Sequence, residues 1–300
     1  MRASVPPGWI KIGAMLPIES RVAVNDVELC LFEWPGAGPP IVLVHATGFH
    51  ARCWDQVVAH LPGRHVYAVD MRGHGRSSKP EPPYPWDRFG DDLASMASLL
   101  RIEGAIGVGH SMGGHSVVLA AAGAPGAFAK LLLIDPVIMP RASYAEAHPP
   151  SEGHFSARRR NEWASAEEMF ERFKDRPPFN SWEPAVLRDY CEYGLVPSPD
   201  RKWLVLACPP AIEAAIYASG QGTDAYPAIE SLDIPVRILR ARQRPEGGGA
   251  PADMSGSPTT QDLATHFRQA KDMVLPQYSH FIPMEAPEFV ADQIVELISA

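Results

Sequence analysis

Four short apolar runs, at residues 41–44, 65–69, 105–108 and 131–134, constrain this chain more than any other feature. They show little of the polar alternation of a half-exposed strand, so both faces of each are expected to be buried. Between them, residues 89–100 and 116–122 space their apolar side chains helically. Strand, helix, strand in repetition predicts an α/β fold: a mostly parallel sheet flanked by helices on both faces. An antiparallel edge should precede it, because Val22, Val24, Val27, Leu29 and Leu31 alternate with polar residues around Asn25-Asp26, a pair that tolerates the positive φ of a hairpin turn.

The alternation stops over residues 140–227 and resumes with 236–239, 273–275 and an amphipathic helix over 288–298. The interrupting segment lacks strand patterning and has helical spacing at 164–174 and 184–193. It also holds nearly half of the aromatic residues in under a third of the length. It reads as a helical cap, residues 140–227, inserted into a core domain made of 1–139 and 228–300. The 31 prolines, against a usual share of about 5%, cluster at 80–85, 149–150, 177–178 and 209–210, joints where helices must stop. The glycine-rich stretch 247–256, without periodicity or bulk, reads as a mobile loop.

With 46% hydrophobic and 21% charged residues and a net charge of −8, the chain falls outside the disordered and collagen-like classes, and nucleic acid is not an expected partner. Cys30, Cys53, Cys191 and Cys208 have no C-x-x-C spacing, so neither a zinc site nor a disulfide framework is indicated, and a reducing cytoplasm suits them. The N-terminus carries Arg2 and Lys11 but no uninterrupted apolar h-region of signal-peptide length, and no segment approaches the roughly 18 apolar residues of a membrane span. The expectation is a soluble cytoplasmic protein, a monomer or homodimer, without a membrane partner.

Chemistry concentrates at Gly109-His110-Ser111-Met112-Gly113, a G-x-S-x-G directly after a buried strand and directly before a helical run. At such a turn a serine is strained, with its hydroxyl exposed, and the flanking glycines let strand and helix pack closely. Ser111 is therefore the candidate nucleophile, with the N–H of Met112 at the helix start as an oxyanion donor. His45-Ala46-Thr47-Gly48 follows the strand ending at Val44 and offers the N–H of Thr47 as the second donor. Asp70, Arg72 and His74, in a glycine-punctuated turn, and His45 read as a structural polar cluster. A dinucleotide site fails on spacing, since the third glycine falls at Gly113 and gives G-x-G-x-x-x-G. No H-E-x-x-H or other ligand spacing is present, so neither metal nor cofactor is expected. Among the histidines, His280 lies after the last predicted strand and before the final helix, where a loop residue reaches the carboxyl edge of the sheet. His110 and His115 flank Ser111 too closely to act as its base.

With these motifs in place, the chain resembles the α/β-hydrolase family with a helical cap, over nearly its whole length. His45-Ala46-Thr47-Gly48, the run Asp70-Met-Arg-Gly-His-Gly-Arg-Ser77, Gly109-His-Ser-Met-Gly113 and the run His280-Phe-Ile-Pro-Met-Glu-Ala-Pro287 stand in the family's order and spacing. The resemblance implies Ser111 as nucleophile, His280 as base, Thr47 and Met112 as oxyanion donors, and the cap as substrate lid. Two places depart from it. Ala46 stands where the family usually has glycine, and the usual acid after the strand ending near Leu239 gives way to Arg240-Ala-Arg-Gln-Arg-Pro245. Asp135, at the end of the next strand after Ser111, is the expected replacement; Glu246 or Asp253 from the glycine-rich loop is the alternative. The implied function is hydrolysis of a carboxylic ester of a small to medium organic molecule. Trp163, Phe170, Phe173, Phe179, Trp182 and Tyr193 are the candidate substrate wall. Lactone, amide or carbon–carbon bond hydrolysis, or a non-catalytic ligand-binding module of the same fold, are the alternatives.

Overall fold

The computed structural model describes residues 16–144, 154–244 and 254–300. Along the chain its strands are β1 (Ile18–Val24), β2 (Val27–Trp34), β3 (Ala37–Val44), β4 (Arg64–Asp70), β5 (Ala105–His110), β6 (Phe128–Ile134), β7 (Glu162–Trp163), β8 (Leu195–Pro197), β9 (Leu204–Leu206), β10 (Val236–Ala241) and β11 (Ala270–Leu275). The helices used below are α1 (Asp55–Ala59), α2 (Asp87–Leu99), α3 (Met112–Gly123), α4 (Ala166–Phe173), α5 (Pro184–Tyr193), α6 (Pro210–Ser219), α7 (Tyr226–Ser231), α8 (Ile282–Glu285) and α9 (Pro287–Ser299).

Eight strands form one sheet in the order β1-β2-β4-β3-β5-β6-β10-β11. β2 runs antiparallel to both β1 and β4, and every pairing from β4 to β11 is parallel. The expected hairpin is present, with Val24 facing Val27 and Asn25 at φ 47. The apolar runs are unbroken because alternate residues enter two different cores. Val42, Val44, Leu131 and Leu133 pack under α2, α3 and α7, whereas Ile41, Leu43, Leu132 and Ile134 pack under α1 and α9.

The segment between β6 and β10 differs from expectation in one respect. Besides α4, α5 and α6 it holds a small antiparallel sheet, β7-β9-β8, in which Val205 pairs with Glu162 on one side and Val196 on the other. Strands of two or three residues are too short to display an alternation, which explains their absence from the sequence pattern. Trp163, Met169, Phe170, Val186, Leu187 and Leu206 form the segment's own core, and Cys53, Phe281 and Met284 from the larger unit join it. The four cysteines are buried and unpaired. Most of the glycine-rich stretch 247–256 lies outside the described residues. No helix among the described residues is long and apolar enough to cross a membrane.

Candidate active site

β5 ends at His110 and α3 begins at Met112, so Ser111 occupies the turn itself, at φ 58 and ψ −119. A non-glycine residue keeps such a backbone only when its surroundings over-determine it. Here they do. The Ser111 N–H donates to the Ile134 carbonyl at 3.0 Å, and the Ser111 carbonyl accepts from the N–H groups of Gly114 at 3.1 Å and Val137 at 3.2 Å. The flanking glycines are a packing requirement: a Cβ on Gly109 would sit 2.3 Å from the Gly113 carbonyl oxygen, and one on Gly113 would sit 2.2 Å from that of Val44.

The sheet brings Ser111, His280 and Asp135 together. Ser111 Oγ lies 3.0 Å from His280 Nε2, and His280 Nδ1 lies 2.6 Å from Asp135 Oδ2. A ring that accepts the serine proton at Nε2 carries its own proton at Nδ1 and donates it to the carboxylate, so the chain of bonds has one direction. All three residues are nearly closed to solvent, at 7%, 3% and 0% exposure respectively. Asp135 follows β6 directly; its N–H donates to the Leu239 carbonyl at 2.7 Å, and its Oδ1 accepts from the Ala241 N–H at 2.9 Å and from Ser257 Oγ at 2.5 Å. The acid therefore sits beside the end of β10 although it belongs to the neighbouring strand. Arg240, within β10, turns instead to Asp272, with Nε 2.9 Å from Oδ1. Glu246 and Asp253, the alternative acids, lie outside the described residues.

His280 is held from behind. Its N–H donates to the Met254 carbonyl at 3.2 Å, and its own carbonyl accepts from His110 Nε2 at 2.8 Å. Burial, with a smaller push from His280, drives the His110 imidazole well below its ordinary range, so it stays neutral and serves as a donor. His110, too close in sequence to serve Ser111 as a base, thus has a structural task in holding the backbone of His280.

The loop after β3 is built on neutral histidines as well. His45 Nε2 accepts from the Met71 N–H and His74 Nε2 from the Gly48 N–H, both at 3.0 Å, while their Nδ1 atoms donate to the carbonyls of Ala46 and Arg72. Burial lowers both imidazoles, which suits a ring that must accept at one nitrogen. Asp70 accepts from the N–H groups of Ala51 and Arg76, and Arg72 holds Asp92 through two bonds of 2.7 and 2.8 Å. These side chains saturate the turns around the site, as the sequence suggested. In contrast, the backbone N–H groups of Thr47 and Met112 donate to nothing among the described residues. Met112 stands at the start of α3, and Thr47, itself buried, lines the same cavity as Ser111.

That cavity has a volume of about 700 Å³. Four of the six expected aromatic residues line it: Trp163, Phe173, Phe179 and Trp182. Phe170 and Tyr193 do not. Phe170 is buried in the segment's own core, with the Arg188 guanidinium 4.0 Å from its ring centroid, and Tyr193 lies under the Arg52 guanidinium at 3.8 Å. Phe49, Phe155, Tyr190, Tyr217 and Phe281 are the further aromatic residues of the wall. Phe49 and Phe281 were findable, since they neighbour the Thr47 loop and His280 in sequence; Tyr190 and Tyr217 carried no such signal.

A strained serine between strand and helix, backed by a buried histidine and carboxylate at the carboxyl edge of a parallel sheet, defines a class. The chain belongs to the alpha/beta hydrolase family, whose model matches residues 41–293. Among its relatives, a 2-(acetamidomethylene)succinate hydrolase from Mesorhizobium japonicum is 34% identical over 119 residues, 39% of this chain and 42% of that protein. A bifunctional esterase/perhydrolase from Acinetobacter calcoaceticus is 35% identical over 117 residues, 38% of this chain and 42% of that protein. The matches thus span well under half the length of these relatives. A solved structure of E-2-(acetamidomethylene)succinate hydrolase superposes with a TM-score of 0.73 at 25% identity, covering 95% of this chain and all of that one.

Proposed function

We propose that the protein is a serine hydrolase that cleaves a carboxylic ester of a small to medium organic molecule through an acyl-enzyme. The observation that carries this reading is the hydrogen-bonded path from Ser111 Oγ through His280 to Asp135, opening on an apolar cavity. His280 Nε2 takes the hydroxyl proton as Ser111 attacks the carbonyl carbon, and Asp135 stabilises the imidazolium that forms. The N–H groups of Thr47 and Met112 hold the oxyanion, a contribution of about 10²–10³ in rate for a single donor. His280 then returns the proton to the leaving alkoxide, and water repeats the sequence on the acyl-serine. Residues 140–227 act as the lid that closes the cavity. The named substrate of one relative contains an acetamido group, so amides belong beside esters in the substrate panel.

The test is covalent labelling with a fluorophosphonate, followed by turnover of 4-nitrophenyl esters. Ser111 should carry the adduct, and Ser111→Ala should lose activity by a factor on the order of 10⁶ while keeping its fold. A protein that neither labels nor turns over esters would instead be a ligand-binding module of this fold.

A further inference from the structure

The chain carries a net charge of −8, yet among the described residues the charged groups around its largely aromatic cavity are mostly basic, Arg159, Arg160, Arg172, Arg176 and Arg242 against Glu213 and Glu285. Two of the arginines are already engaged. Arg159 reaches Glu213 Oε2 at 2.5 Å and the Tyr190 hydroxyl at 2.6 Å, and Arg160 reaches Glu168 Oε1 at 2.6 Å. Glu285 accepts from the Ser279 N–H at 2.9 Å and from Ser181 Oγ at 2.7 Å. Arg172, Arg176 and Arg242 have no carboxylate within ion-pair distance among the described residues; Arg242 Nε donates to the Tyr278 carbonyl at 3.3 Å.

Their location matters as much as their charge. Ser111, His280, Thr47 and Trp182 are buried, whereas these three arginines are exposed, so the reactive hydroxyl is at the floor of the cavity and the guanidinium groups are at its mouth. Arg172 and Arg176 come from the inserted segment and Arg242 from the end of β10. Positive charge thus arrives at the mouth from both parts of the fold, above walls that are aromatic. A cleft of this kind focuses its field, and a planar guanidinium binds a carboxylate through charge-assisted bonds that a neutral chain end does not form.

We propose that the substrate carries a carboxylate at the end remote from the scissile bond, held at the mouth by Arg172, Arg176 and Arg242 while the carbonyl sits at Ser111. The inference rests on the serine-hydrolase reading above and specifies its substrate class as half-esters of dicarboxylic acids. It also gives a purpose to Arg242, one residue of the arginine-rich stretch that stands where the usual acid after β10 would be.

Two esters with the same six-carbon acyl chain decide the matter on the full-length protein: mono-4-nitrophenyl adipate, which ends in a carboxylate, and 4-nitrophenyl hexanoate, which does not. The expected ratio of their kcat/KM values is about tenfold or more in favour of the adipate, expressed mainly in KM. Salt at roughly 0.5 M should erode the ratio, because exposed charges are screened over a few ångströms there. In the Arg176→Gln/Arg242→Gln protein the ratio should fall towards one, whereas Arg188→Gln, outside the cavity, should retain it. Cleavage of both esters without preference for the adipate, or a preference indifferent to salt and to the double substitution, overturns the carboxylate assignment and leaves the hydrolase reading standing. Failure to cleave either ester, together with no fluorophosphonate adduct on Ser111, overturns both.

Discussion

Replacing Asp135 by asparagine would separate two tasks that one carboxylate performs. Oδ1 ties the end of β10 through the Ala241 N–H and the Ser257 hydroxyl, and Oδ2 orients His280. An asparagine keeps an acceptor for the first task but presents an N–H to His280 Nδ1, which moves the ring proton to Nε2 and removes the acceptor that Ser111 needs. Asp135→Asn should therefore lower kcat/KM for a 4-nitrophenyl ester by about 10⁴ with little change in melting temperature. Activity within tenfold of the parent would mean that another group orients the histidine. Asp135 was legible in the sequence because it ends the strand next along the chain from the nucleophile, and sheet order turns that into adjacency. His110 was not, since its role is a bond to the backbone of a residue far away in the chain, and no local pattern records such a partner.

At the scale of elements, legibility followed length. The central strands of the large sheet, six to eight residues long, announced themselves through burial on both faces and the leading hairpin through its alternation, while β7, β8 and β9 left no trace. The aromatic residues of the inserted segment show a second limit. Helical spacing identifies an apolar face on α4 and α5 but does not say whether that face looks into the segment's own core or across to the serine. Trp182, in the connection before α5, lines the cavity with Ser111 and packs 5.7 Å from Phe49 and 5.3 Å from Phe281 between ring centroids, whereas Tyr193, the last residue of α5, supports Arg52. Trp182→Ala should consequently shift the preferred acyl length across a series of 4-nitrophenyl esters. Tyr193→Ala should leave that profile in place and lower the melting temperature slightly, a cation–π contact being worth about 0.5–2 kcal/mol. The reverse pattern would show that the cavity wall lies elsewhere.

Among the described residues, burial has left six imidazoles with lowered proton affinity: His45, His50, His74, His110, His115 and His154, with His50 and His115 brought down to about 4. Above the ordinary histidine value of about 6.5 both folded and unfolded chains hold these rings neutral, and they contribute no pH dependence. Between about 6.5 and 4 the unfolded chain binds protons that the folded one refuses, so stability falls as the pH falls, by up to about 1.4 kcal/mol per pH unit for each such ring. Melting temperatures measured at pH 8, 6.5 and 5 should accordingly be similar for the first two and lower for the third; a flat series would contradict neutral burial. Heat should act on the site unevenly for a different reason. The Ser111 N–H is bonded to the carbonyl of Ile134, and Asp135 is the next residue, so Ser111 and Asp135 meet at the single peptide unit that ends the central strand β6. His280 reaches them on a separate connection after β11. The proposed triad thus has one member whose backbone is tied to the sheet, among the described residues, by a single bond, the one its carbonyl accepts from His110 Nε2. On warming, hydrolysis should therefore fall silent, and recover on cooling, at temperatures where the sheet is still intact.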